Sequence, residues 1–413
     1  APGAASFTDS TITYFIDYET YYNMEDTLKI NYTLKDENGH ASYESIGHVF
    51  LNIIDNKYYN FLDINDIKAR VQASGLQFFP GPNQNTDSEY SNSFEFPINS
   101  GKSTIFNSTI WIGGMDEQGQ LHLAAERYRQ IGMDFWPGPI SSQNDELSID
   151  TSTIINWQRV WTLTKEELIY HKLHYWEDGY QPIDNIANWP AHGNEDLNQP
   201  EYLAPFVDVD GDGLYIPLNG DYPLIRGDQC IYFIVNDLRS HSESGGDSLG
   251  LEIHVMAYEF ELSDNTPMNN TVFFSYKIFN RSNRTYHDTY IGLFTDFDIG
   301  YGWDDYVGCD VQRGAFYGFN GDSIDGTGNS EIAYEGEIPA QGIAILGGPE
   351  MDANNIDDPD DQCDESITGV GFGDGEIDNE RLGMCRFIWF GNNSGTQGDP
   401  STSEQYYGYL KGN

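Results

Sequence analysis

Between residues 230 and 298 the chain carries a succession of strand patterns that leaves few folds open. Cys230-Ile-Tyr-Phe-Ile-Val235 is an unbroken apolar run, the pattern of a strand buried on both faces. Residues 251–260 (LEIHVMAYEF) and 270–279 (NTVFFSYKIF) alternate apolar and polar side chains. Alternation puts every second residue on one face of a sheet. The loop 263–267 (SDNTP) separates these two, and residues 287–298 (HDTYIGLFTDFD) form a further strand. Successive strands joined by short loops pair antiparallel, which predicts a β-sandwich core over residues 225–300. No segment recurs at a fixed period, which argues against a solenoid or propeller.

The remainder of the chain extends this reading. Strands are expected at 11–16 and 28–34, with a turn at 36–40 (DENGH). Residues 63–71 (DINDIKARV) are assigned to strand and loop, and 80–93 to loop. Residues 104–131 form a hairpin that turns at 116–120 (DEQGQ). One helix is well marked. Thr164-Lys165-Glu166-Glu167 is a capping box, and Leu168, His171 and Tyr175 follow at helical spacing. A second short helix is expected over 182–189, with Pro182 in its first turn. The expected class is mainly β, with antiparallel β-sandwich domains, few short helices and long acidic Gly-rich loops. The expected division is an N-terminal β domain (1–140), a helical and loop connector (141–202) and an acidic-loop β-sandwich domain (203–413).

Charge limits the partners. The chain holds 66 Asp and Glu against 20 Lys and Arg, for a net charge of −46. That excludes a nucleic-acid binder resting on a basic groove and disfavours anionic membranes. Aromatic content of 14% separates the chain from disordered acidic sequences. No apolar run is long enough to cross a bilayer as a helix. The opening Ala1-Pro-Gly-Ala-Ala is expected to be a processed or truncated start, and the end at 406–413 is expected to fall within a domain. Cys230, Cys309, Cys363 and Cys385 include no CxxC pair, which speaks against zinc. In an oxidising compartment they make two disulfides, with three connectivities open.

Self-repulsion at this charge is relieved by bound cations, and the acidic loops are placed to take them. Residues 208–215 read Asp-Val-Asp-Gly-Asp-Gly-Leu-Tyr. Asp208, Asp210 and Asp212 at i, i+2 and i+4 converge if the chain turns tightly, and Gly213 permits the turn. The Leu214 carbonyl falls at the seventh position of an EF-hand-type loop. The twelfth position is Asn219 rather than Glu, so Asp221 is the expected replacement ligand. Hard oxygen donors in a flexible loop select Ca²⁺. Asp374, Glu376 and Asp378 repeat the spacing beside glycines. Asp296 and Asp298, followed by Asp304 and Asp305, form a third group on one face of a strand end. No GxSxG, HExxH or P-loop occurs, and His171 with His174 is assigned to partly buried core and surface.

Six separated phrases carry a family likeness: residues 103–114 (STIFNSTIWIGG), 125–139 (AERYRQIGMDFWPGP), 188–193 (NWPAHG), 220–237 (GDYPLIRGDQCIYFIVND), 288–302 (DTYIGLFTDFDIGYG) and 373–384 (GDGEIDNERLGM). Together they resemble large secreted Bacteroidetes proteins that leave the cell through the type IX secretion system. The resemblance runs from about residue 46 to the end. It implies export to the outer surface or medium, and more protein than this chain, since such proteins usually end in a sorting domain. The expected function is therefore an extracellular cell-surface structural protein, such as a filament or surface-layer subunit, stabilised by calcium and self-associating or meeting surface partners. An adhesin for glycan or protein is the alternative, and a carbohydrate-active hydrolase with two carboxylates a second one. The resemblance also implies O-linked glycan at Asp-Ser/Thr followed by a small apolar residue or Thr. That pattern gives Ser10, Thr27, Ser248 and Ser323 as acceptors.

Overall fold

In the computed structural model the described residues are 5–8, 11–14, 27–35, 41–50, 58–79, 94–127, 132–144, 146–264, 267–326, 333–334, 337–360, 369–391 and 397–413. Strands make up 33% and helices 13%, so the protein is mainly β, as expected. The chain divides into two compact units, Ala1–Lys57 and Tyr58–Asn413. In the first, Ala5–Thr8 pairs antiparallel with Thr11–Tyr14, and Thr27–Lys35 with Ala41–Phe50.

The second unit is built on Gln229–Asn236, in which every residue is buried. Leu251–Glu259 pairs with it and Phe273–Asn280 continues the sheet, both antiparallel. Trp161–Thr164 and Trp136–Pro137 share its other edge. The apolar run at 230–235 follows from this position. Ile231, Phe233 and Val235 join one cluster with Ile110, Ile112, Ile253 and Val255. Cys230, Tyr232 and Ile234 join another with Trp161, Leu163, Leu168 and Trp189. A strand with apolar cover on both faces has no solvent side on which to place polar residues. Each such side chain contributes about 1.5–3 kcal/mol through removal from water.

A second sheet runs along Asn107–Asp116. Leu121–Ala124 returns beside it as the expected hairpin, closed where the Asp116 carboxylate accepts the amides of Gln118 (2.9 Å) and Gln120 (2.8 Å). Its other neighbour is Tyr286–Asp296. The strand after 273–280 therefore does not extend the central sheet. It crosses to pair with a strand about 180 residues earlier in the chain, a non-local pairing that alternation cannot report. A third sheet, Asp305–Asp310, Ala315–Asn320 and Gln341–Ala344, adds Phe316 and Ile343 to the first cluster.

The expected boundaries at 140 and 202 fall inside the second unit. Trp136–Pro137 and Trp161–Thr164 both pair with Gln229–Asn236, so the segment expected as a connector is built into the main sheet. The capping-box helix spans Lys165–His174: Thr164 Oγ1 accepts the Glu167 amide and Glu167 Oε2 accepts the Thr164 amide. Asp184–Ala187 occupies the second expected position. Thr151–Trp157 and Ser403–Leu410 are further helices. The first is rich in β-branched residues, which disfavour helix. Its Asp150 N-cap and fully buried Ile154 outweigh that propensity.

Candidate metal centre

Phe206–Val207 pairs with Tyr222–Pro223 and closes the ends of the acidic loop. Between them the chain wraps around its first aspartate. Asp208 Oδ1 accepts the Gly211 amide at 2.7 Å and Oδ2 the Gly213 amide at 2.8 Å. These bonds, the one from Gly213 foremost, hold its carboxyl below the usual carboxylate range. Gly211 and Gly213 have φ of +77° and +83°, a conformation costly for other residues. Asp212 Oδ1 accepts the Leu214 amide at 2.8 Å. Ligand oxygens from Asp208, Asp210 and Asp212 all lie within 4.8 Å of one another, the only such group of three among the described residues. Asp208 is half-buried, whereas Asp210 and Asp212 are exposed.

Asp221 corrects the expectation that it replaces the missing Glu. It is fully buried, and both its oxygens are engaged, Oδ1 by the Val209 amide at 2.8 Å and Oδ2 by the Ile216 amide at 2.7 Å. It braces the loop from beneath. The residue that reaches the cluster is Asn219, whose Nδ2 donates to Asp210 Oδ2 at 3.0 Å. Leu214 contributes its amide, and its side chain is exposed. Below the loop, His171 Nε2 lies 3.0 Å from the Asp221 carbonyl and Nδ1 3.0 Å from the Tyr180 hydroxyl. Burial lowers the His171 pKa. The neutral ring fits its partners: Nε2–H donates to the carbonyl and Nδ1 accepts from the phenol. The helix predicted best from sequence thus underlies the loop, with His171 as its foot.

The second acidic segment repeats this wiring with parts from two stretches. Asp357 accepts the amides of Gly373 (2.7 Å) and Gly375 (2.8 Å), as Asp208 does from Gly211 and Gly213. Asp374 Oδ1 accepts the Glu376 amide at 2.9 Å, matching Asp212 and Leu214. Buried Glu380 accepts the amide of Asp358, the residue after Asp357, as Asp221 accepts that of Val209. Asp374, Glu376 and Asp378 do not converge as expected, because the Asp378 carboxylate turns to the Asn355 amide at 2.8 Å. Asp357 was not separable by sequence from the other aspartates of 352–364.

At the third group, Asp305 Oδ2 accepts the Ile299 amide and Asp304 Oδ2 the Gly326 amide. The Oδ1 atoms of Asp304 and Asp305 are buried without a hydrogen-bond partner. Burial first, then the charges of Asp298, Asp304 and Asp325, pushes the Asp305 carboxyl up to about 7. Asp296 ends the strand Tyr286–Asp296 and is half-buried, as is Asp298. Beside them Trp303, 85% exposed, lines a shallow cavity of about 370 Å³ with Asp304, Asp305, Tyr306, Gly321 and Asp322.

Among the described residues the expected pair of disulfides is not found. Cys230 and Cys309 are free, and they pack against different apolar clusters. The Cys385 thiol contacts the Gly383 carbonyl at 3.7 Å, and Cys363 lies outside the described residues. Of the glycan acceptors, Ser323 is exposed and Ser248 half-buried, while Ser10 and the Thr27 side chain lie outside the described residues. No helix among the described residues is long and apolar enough to cross a membrane, as expected. In comparison with known proteins, the chain matches no family model, no curated protein and no solved structure.

Proposed function

We propose that the chain is a calcium-stabilised structural protein of the extracellular surface, a subunit that self-associates or joins surface partners. The observation that carries this reading is the convergence of Asp208, Asp210 and Asp212 on a loop whose backbone is already set by hydrogen bonds. Preset donors reduce the ordering cost of binding. A hard divalent cation there offsets part of a net charge of −46. Calcium is the ion that tolerates several carboxylate oxygens in a flexible loop. The likeness to type IX secreted proteins supports the location.

Thermal unfolding with Ca²⁺, Mg²⁺ or EDTA, paired with sedimentation of the same samples, tests both parts. Calcium raises Tm and EDTA lowers it on this reading. A Tm indifferent to both removes calcium, and a monomer at every concentration removes the subunit role. The adhesin reading rests on exposed Trp303 beside its acidic cavity, where an aromatic face and carboxylates suit a sugar ring. Loss of glycan-array binding in Trp303→Ala would support it.

A further inference from the structure

The connection between the two central strands, residues 237–250, lies along Leu121–Ala124 of the neighbouring sheet. Backbone groups make part of this seam: the Leu123 amide donates to the Asp247 carbonyl at 2.9 Å, and His122 bridges Asp247 in parallel. Two imidazoles make the rest. The His241 side chain is 0% exposed. Its Nδ1 lies 2.6 Å from the Leu123 carbonyl and its Nε2 2.7 Å from the Asp237 carbonyl. His122 Nδ1 lies 2.7 Å from the Ser248 carbonyl and Nε2 3.1 Å from Asp116 Oδ2.

A carbonyl oxygen can only accept a hydrogen bond, so a ring nitrogen facing it must donate. Neutral imidazole has one N–H and one lone pair. Either neutral tautomer of His241 would set a lone pair against a buried carbonyl. Only the imidazolium satisfies both contacts. The same holds for His122, whose second partner is a carboxylate kept ionised by the amides of Gln120 and Gln118 and by His122 itself.

The surroundings suit two cations. His241 sits between the fully buried carboxylates of Asp134 (3.9 Å) and Asp237 (3.7 Å). Asp134 is held by the amides of Ala125, Glu243 and Ser244, and Asp237 by those of Leu249 and Leu251. Burial raises the Asp237 carboxyl, while His241 and these amides draw it back. Past Asp134 stand Glu126 and Glu243, pushed up to about 8 and about 7 mainly by burial, and Arg127, which pairs with Glu243 and Asp399. Beside His122 are the Tyr286 ring at 5.3 Å and Arg284, whose Nη1 reaches the Ser248 carbonyl at 3.5 Å.

We propose that His122 and His241 are both imidazolium cations in the folded chain, and that together they form a proton-dependent latch holding the 237–250 connection on Leu121–Ala124. Loss of the second proton from either ring turns a buried hydrogen bond into a lone-pair clash. Each of these contacts needs its proton, so the latch weakens as pH rises.

Two measurements on the ¹⁵N-labelled full chain test this. Ring-nitrogen NMR at neutral pH is expected to find two N–H protons on each of the two imidazoles. A single N–H on either ring would overturn the proposal. Hydrogen exchange, corrected for its intrinsic pH dependence, follows peptides covering 121–124 and 237–250 from about pH 6 to about pH 9. Protection there should fall roughly tenfold relative to Leu251–Glu259. A flat ratio would sink the latch. His241→Gln should keep only the part of the pH dependence that His122 carries and stay less protected than wild type throughout. If that variant does not fold, the ring-proton count and the wild-type profile decide alone.

Discussion

The two acidic loops share one wiring plan and differ in how it is threaded. Residues 208–221 are contiguous. The cradled Asp208, the Gly-Asp-Gly turn at 211–213 and the brace Asp221 all lie within one short stretch. The other loop draws Asp357 from one segment and Gly373, Asp374, Gly375 and Glu380 from another. Only the contiguous loop gathers three ligand oxygens within 4.8 Å among the described residues. A short loop has its closure entropy settled by local turns, whereas a split one depends on the rest of the fold to hold its halves together. The cradle geometry is thus reusable, but cation convergence follows from the i, i+2, i+4 placement of carboxylates on one strand of chain.

The largest expected effect comes from the brace. Asp221→Ala leaves the amides of Val209 and Ile216 without their acceptor, which costs roughly 2–5 kcal/mol in urea unfolding. It also abolishes any calcium response. A variant that keeps both would show that the brace is incidental.

Calcium comes next. A hundredfold excess over Kd adds about 2.7 kcal/mol to the native state, read as a Tm rise that EDTA reverses. Asp210→Ala, at an exposed ligand position, should remove most of that rise. Persistence of the full rise in this variant would shift the site to the split loop and reverse the comparison.

Asp357→Asn sharpens the contrast. It weakens the bonds to Gly373 and Gly375, at a cost of about 1 kcal/mol. Calorimetric calcium binding should stay that of the wild type. A lost binding event would make the split loop a second cation site.

The smallest effect is on the acid limb. The Asp208 carboxyl is held below its ordinary value by the amides of Gly213 and Gly211. Its folded-state pKa is depressed, so its contribution is present above the unfolded-state pKa and lost as pH falls through the folded one. Asp208→Asn should flatten stability against pH in that acid window and leave the slope above it unchanged. An unaltered acid limb would show that the cradle does not select the ionised form.

Much of the contiguous loop can be read from residue order. The spacing of Asp208, Asp210 and Asp212 and the glycines between them act over a few bonds, as does the Thr164–Glu167 capping box. The role of Asp221 cannot be read this way. A carboxylate near such a loop is equally a ligand or a brace until burial is known, and here burial and two backbone amides decide for the brace. Cysteine spacing misled for a related reason. Cys230 points into an apolar cluster on one face of the central sheet and Cys309 packs against the other cluster.

By itself the sequence determined the mainly β class, strands expected at 230–235, 251–260 and 270–279, the capped helix and the convergent aspartates. Each rests on periodicity or on hydrogen bonds that close within a few residues. Tertiary structure decided that Tyr286–Asp296 pairs with Asn107–Asp116, that Asp357 meets Gly373 and Gly375, and that His241 faces two carbonyls. Apart from the His241–Asp237 contact, four residues apart, these contacts join partners 16 or more residues apart. Their energy depends on burial and on which donor meets which acceptor, and neither is written in the local order of residues.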